Sequence, residues 1–171
     1  MVEAVILRPA TLRDLPALTT IHNYYVANTH FTFDTKPFTT EERRPWFDSH
    51  NDGNRHRIIV ADAQGILLGS ASSARHRAKD AYDTTVEVSI ECHRDAIGLG
   101  LGTRLYQALF AELAKQDIHR VVAGVAQPNE ASTALHRKFG FREIGTFSQV
   151  GRKFEKYWDV TWFERELTTP S

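Results

Sequence analysis

The 171-residue chain has a single cysteine, Cys92. That excludes an internal disulfide and a cysteine-rich zinc site, and it fits a reducing compartment, so a cytoplasmic location is expected. Net charge is also missing, with 21 Lys and Arg set against 21 Asp and Glu. Duplex nucleic acids are held mainly by clustered cations on phosphates, so no nucleic-acid partner is expected. Long apolar runs are absent too. Nothing approaches the roughly 18 residues of a membrane-crossing helix. The first ten residues hold only a short apolar run, Ala4 to Leu7, before Arg8-Pro9, where a secretory signal needs about 7–15. Neither a membrane nor a secretory role is expected. The eight histidines include no H-x-x-x-H pair and no HExxH, so no metal is expected.

What is present is ordinary globular material: 42% apolar and 25% charged residues, with no repeat, low-complexity tract or long linker. One domain over residues 1–171 is expected, with 168–171 as a flexible tail. Residues 4–8 read as a strand ended by Pro9. Thr11-Leu-Arg-Asp then opens a helix in the manner of a capping box, and Leu15, Leu18, His22 and Tyr25 follow at helical spacing. Thr39-Thr40-Glu41-Glu42 starts a second helix, with Pro45 near its first turn and Trp46 and Phe47 facing inward. Ile58–Ala61 and Ile66–Ser73, separated by Asp62-Ala63-Gln64-Gly65, form a hairpin. Thr84–Cys92 alternates apolar and polar residues as a strand should, and Leu101, Leu105, Leu109 and Leu113 mark an amphipathic helix. Strand 121–126, helix 129–139, strand 141–148 and strand 156–163 complete the order β-α-α-β-β-β-α-β-α-β-β. This predicts an α/β (α+β) fold in which helices flank a mixed sheet.

The most informative stretch is Ala96-Ile97-Gly98-Leu99-Gly100-Leu101-Gly102-Thr103, lying between a strand and a helix. Glycines at alternate positions let the backbone approach a ligand, and the first amides of a helix favour an anionic phosphate. The pattern is neither the dinucleotide fingerprint, since Thr103 stands where its last glycine would fall, nor a Walker loop. A glycine-rich connection without a ligand is the alternative reading of this stretch.

This loop occurs in order with Thr85-Val86-Glu87-Val88-Ser89-Ile90, Pro128-Asn129-Glu130-Ala131-Ser132 and Leu135-His136-Arg137-Lys138-Phe139-Gly140-Phe141. Together they resemble the GNAT superfamily of N-acetyltransferases. Ile21-His22-Asn23, Thr32-Phe33-Asp34, Glu41-Glu42-Arg43 to Trp46-Phe47, and Val150-Gly151-Arg152-Lys153-Phe154 to Trp158-Asp159-Val160 extend the likeness to the phosphinothricin and methionine-sulfoximine acetyltransferase branch. It covers about residues 4 to 167.

The resemblance implies a GNAT-like, mostly antiparallel twisted sheet. It also implies direct transfer of an acetyl group from acetyl-CoA to the amine of a small amino acid or amino-acid-like toxin. The cofactor diphosphate would lie on Ile97, Gly98, Leu99, Gly100, Leu101, Gly102 and Thr103. Its pantetheine arm would pair with Ser89, Ile90 and Glu91, and Asn129 and Ser132 would face it. Two positions depart from the family pattern: Ile97 replaces the usual Arg or Gln, and Glu91 replaces an aromatic residue.

By the same resemblance Glu87 would take the proton of the amine; read as a strand residue alone, it is an exposed polar side chain. His136 would either protonate the leaving thiolate or order the pocket. Arg77 would hold the carboxylate of the substrate with its planar fork, the alternative being a solvated basic loop. Tyr82, Phe31 and Phe33 would wall the pocket, and Lys153 would contribute from a neighbouring subunit of a homodimer. A polyamine, an aminoglycoside or a protein N-terminus is the alternative acceptor, and a catalytically weak acyl-CoA-binding module the alternative function.

Overall fold

A computed structural model describes residues 5–50 and 54–167; residue 4 of the first expected strand and the expected tail at 168–171 lie outside these. The elements are β1 (Ile6–Pro9), α1 (Leu15–Asn28), α2 (Thr40–Asp48), β2 (Ile58–Ala63), β3 (Ile66–Arg75), β4 (Thr85–Cys92), α3 (Leu101–Leu113), β5 (Arg120–Ala126), α4 (Glu130–Lys138), β6 (Arg142–Lys153) and β7 (Lys156–Glu166). One seven-stranded sheet runs in the order β1-β2-β3-β4-β5-β7-β6. All its neighbours are antiparallel except β4 and β5. The element order agrees with the periodicities of the sequence.

Helices cover both faces of the sheet. Ile59 and Ala61 of β2 join the core beneath α3, with Leu105, Tyr106, Leu109 and Leu113. Ile58 and Val60 point the other way, to Leu18 and Ile21 of α1 and to Trp46 and Phe47 of α2. Burial on both faces explains why Ile58–Ala61 is a continuous apolar run rather than an alternating one.

The N-terminal caps are made by the expected side chains. Thr39 Oγ1 accepts from the Glu42 amide at 3.2 Å while Glu42 Oε2 accepts from the Thr39 amide at 2.7 Å. The Asp14 carboxylate accepts from the Thr11 amide at 2.7 Å and from both terminal nitrogens of Arg8 at 2.8 Å, and Arg8 also bridges to Asp62. This network places a short 3₁₀ turn, Leu12–Asp14, ahead of α1.

Three details differ from the sequence expectations. Pro45 stands well inside α2 rather than in its first turn. Arg43 is the fully buried residue of α2, its guanidinium 4.0 Å from the Trp46 ring centroid, while Trp46 and Phe47 face the core as expected but are only half-buried. The sixth strand continues to Lys153, because β7 pairs with it up to a two-residue turn at Phe154-Glu155, both at positive φ.

Candidate active site

β4 and β5 are paired only at Thr85–Arg120, Val86–Val121 and Glu87–Val122. Beyond Glu87, β4 stays paired with β3 as far as Cys92, and β5 stays paired with β7 as far as Ala126. The two parallel strands therefore part in mid-sheet, leaving facing edges of unpaired main chain. Buried unpaired peptide groups are rare because each costs about 1–3 kcal/mol. An opening of this kind suits an extended, amide-bearing guest. A cleft of about 760 Å³ occupies it, bordered by Val88, Ser89 and Ile90 on one side and Gly124 and Val125 on the other.

The glycine loop forms one end of the cleft, and its glycines serve two purposes. Gly98 (φ +83°) and Gly100 (φ +70°) adopt the left-handed backbone that other residues resist. A Cβ on Gly102 would instead come within 3.3 Å of Leu135 Cδ2 and 3.5 Å of Ile90 Cδ1, so this position is constrained by space. Gly100 is the N-cap of α3 and offers no side-chain cap. The first amides of the helix thus point, with the positive end of its dipole, at the cleft. Ile97, Leu101 and Thr103 line the cleft with the three glycines; Leu99 projects away, 70% exposed.

Glu87 lies where the strands part, at the last paired position. Burial raises its pKa, against the opposing pull of His76 and Arg77. His76 Nδ1 is 3.6 Å from Glu87 Oε2. Arg77 is exposed on the same segment after β3, and Tyr82, 39% exposed, packs edge-on against the His76 ring.

Glu91 is held in place by its neighbours. Its Oε1 is 2.8 Å from His22 Nδ1, and His22 Nε2 is 2.8 Å from Asp34 Oδ2. Burial pulls the His22 pKa down, but hydrogen bonding and charge from Glu91, with help from Asp34, outweigh it and raise the pKa overall. An acidic side chain at the cleft is thus matched by an imidazolium behind it.

The connection between α1 and α2 closes the other side. His30 stacks on Trp158 with ring centroids 4.0 Å apart and donates from Nε2 to Pro128 O at 2.9 Å. Phe31 and Phe33 line the cleft. The Phe33 ring occupies the space above Gly151, where a Cβ would fall 2.1 Å from Phe33 Cε2. Lys153 is buried in its own chain, and its Nζ donates to Thr32 O at 2.8 Å. Here, therefore, Lys153 supports the wall of its own cleft.

His136 lines the cleft but is 3% exposed. Its Nδ1 donates to Ser132 O at 2.7 Å, leaving Nε2 to accept from Tyr106 Oη at 2.9 Å. Burial lowers its pKa despite the Ser132 contact. A neutral imidazole with both nitrogens engaged fits the pocket-ordering role better than that of a proton donor. Asn129 and Ser132 also line the cleft, and Asn129 caps α4 by accepting from the Ser132 amide at 3.1 Å.

Residues 18–141 match the Acetyltransferase (GNAT) family. The chain is 52% identical to the phosphinothricin N-acetyltransferase of Streptomyces coelicolor over 162 residues, 94% of this chain and 95% of that one. It is 35% identical to an L-methionine sulfoximine/L-methionine sulfone acetyltransferase of Pseudomonas paraeruginosa, with 94% of each covered. A phosphinothricin acetyltransferase of the GNAT superfamily from Sinorhizobium meliloti, solved in complex with AcCoA, superimposes with a TM-score of 0.90. The two are 29% identical, covering 98% of this chain and 93% of the other. The chain belongs to the GNAT acetyltransferase family.

As a GNAT acetyltransferase, the chain is an enzyme that uses acetyl-CoA. The cleft has the features such a donor requires: uncapped helix amides for a diphosphate, and unpaired strand edges for an arm that carries peptide-like amides. Among the described residues no group of three His, Cys, Asp or Glu side chains is placed to hold a metal, and no helix is long and apolar enough to cross a membrane.

Not legible in the sequence were His76, the neighbour of Arg77, and the His22–Glu91 pair. The one available signal for the pair was Glu91 itself, an acidic residue where an aromatic one is usual.

Proposed function

We propose that the chain N-acetylates a small amino acid or an amino-acid-like toxin of the phosphinothricin or methionine sulfoximine kind. The observation that carries this reading is the position of Glu87, a carboxylate at the point where β4 and β5 separate. Full-length similarity to relatives named for those two acceptors supports the substrate class.

An amine attacks only as the free base, so Glu87 removes one proton from the substrate ammonium, directly or through water. Bound acetyl-CoA supplies the thioester carbon that the nitrogen attacks. A main-chain N–H between Val88 and Ile90 stabilises the charge that develops on the carbonyl oxygen. A second proton leaves the nitrogen as the amide forms and returns to the departing thiolate, so one proton is released to solvent for each turnover. His136 and Tyr106 order the floor beneath the cleft. Gly98 to Thr103 hold the diphosphate, Arg77 takes the substrate carboxylate, and Phe31, Phe33 and Tyr82 bound the side chain.

A homodimer belongs to the same proposal. β6 is an edge strand, and Ile144, Phe147, Val150, Phe154 and Tyr157 of the β6–β7 hairpin are all about half exposed or more. Apolar surface on an open sheet edge is ordinarily covered by a partner, and sedimentation tests whether a second copy is that partner. A cytoplasmic location fits the lone, half-buried Cys92.

Thiol release measured with phosphinothricin, methionine sulfoximine and the twenty amino acids tests the acceptor. Preferred turnover of one of these supports the reading. Turnover confined to polyamines, aminoglycosides or protein N-termini overturns the substrate class while leaving the acetyltransferase intact.

A further inference from the structure

His76 is enclosed without being satisfied. Its ring lies edge-on to Tyr82 and to Trp162, at centroid distances of 5.7 and 6.2 Å, and its side chain is 16% exposed. Nδ1 is buried and has no hydrogen-bond partner among the described residues. An orphaned buried polar atom costs about 1–3 kcal/mol, so a structure that keeps one has a use for it. The atom that Nδ1 faces is Glu87 Oε2, 3.6 Å away. That is just beyond hydrogen-bond distance, and contacts at catalytic carboxylates commonly tighten only once substrate is bound.

We propose that His76 is the positioning residue of the catalytic base, its Nδ1–H closing onto Glu87 Oε2 in the reactive complex to fix the carboxylate toward the cleft. The inference rests on the reading of Glu87 as the base. The two rings pack edge-on against His76, and β3 delivers it there: Ala74 is paired with Glu87, and His76 lies two residues further on. The electrostatics point the same way. Burial favours the protonated, inert form of Glu87, while His76 and Arg77 favour the ionised form that accepts a proton. Other groups around the carboxylate do not substitute for them. Val122 on β5 and Trp162 on β7 carry no charge. Glu164 shares the cross-strand row with Glu87 and Val122 but is ion-paired with Arg142.

A packing role is the competing explanation, and it is separable because phenylalanine would fill the same aromatic corner. H76F, H76L, H76Q and E87Q are compared in kcat and kcat/KM across pH, with thermal melting as a check on folding and H76L standing in if H76F does not fold. The proposal expects the apolar variants to lose turnover several-fold at neutral pH. It also expects the acidic limb of kcat/KM to move upward by about one pH unit, the scale on which a nearby partner holds a carboxylate down. KM for acetyl-CoA should be unchanged, and H76Q, which still donates, should recover part of the loss. An acidic limb and kcat in the apolar variants equal to wild type, with E87Q inactive, would overturn the role of His76 and leave the base in place. An E87Q enzyme as active as wild type would instead remove the base reading, and this inference with it.

Discussion

His22 and Glu91, 69 residues apart in sequence, meet at 2.8 Å and tie the first helix to the strand that walls the cleft. A carboxylate beside a site for a polyanionic donor would repel it, and the protonated imidazole offsets that charge. Because the folded His22 pKa lies above its ordinary 6.5, the pair contributes stability that is full below pH 6.5 and is lost as pH rises through the folded value. His50, His56 and His136 are pushed the other way by burial, so the effect is isolated by subtracting His22→Phe from wild type. The difference in denaturation free energy should shrink as pH rises from about 6.5 through the folded value; a flat difference would refute the pairing.

Ile97 puts an apolar side chain, 61% exposed, at the diphosphate end of the cleft, where Lys138 Nζ donates to Thr103 Oγ1 at 3.1 Å. Ile97→Arg should tighten acetyl-CoA binding by about 0.5–1 kcal/mol at low salt, with the gain fading as salt is raised. Calorimetry at two ionic strengths measures both effects.

Gly151 exists to admit Phe33, since any Cβ there would overlap the ring. Gly151→Ala should displace Phe33 and with it the wall of the acceptor pocket. KM for the amine should rise while KM for acetyl-CoA holds, and stability should fall by about 1–3 kcal/mol. Steady-state kinetics with each substrate varied in turn separates the two.

Arg77 is exposed on the segment after β3, near enough to Glu87 for its charge to favour the ionised carboxylate. Arg77→Ala should raise KM for an amino-acid acceptor at least tenfold, equivalent to about 1.4 kcal/mol of a charged hydrogen bond. It should not change KM for acetyl-CoA; equal effects on the two would remove its carboxylate role.

The parts of this molecule legible in the sequence are those set by neighbours along the chain. The Thr39–Glu42 cap, the leucine stripe of α3 and the alternation of β4 each arise within a few residues. The glycines at 98 and 100 signal their own backbone geometry. The parting of β4 from β5 is not local, because it depends on which partner each strand keeps beyond Glu87. For the same reason the sequence does not reveal that the fold buries Arg43, seats Lys153, expected to serve a neighbouring subunit, in its own chain, and turns His76 toward Glu87. His136 shows a further limit: its residue type left a proton donor and a pocket-ordering residue equally open, and its contacts with Ser132 and Tyr106 leave it no free nitrogen.

The most direct test is amide hydrogen exchange, residue by residue, with and without acetyl-CoA. Protection that appears along Val88–Glu91 and at the amides of Gly98–Thr103, and is absent from the Ala10–Leu15 segment, is the result predicted. Unchanged exchange at the loop and at the open edge of β4, with binding confirmed by calorimetry, would contradict the account.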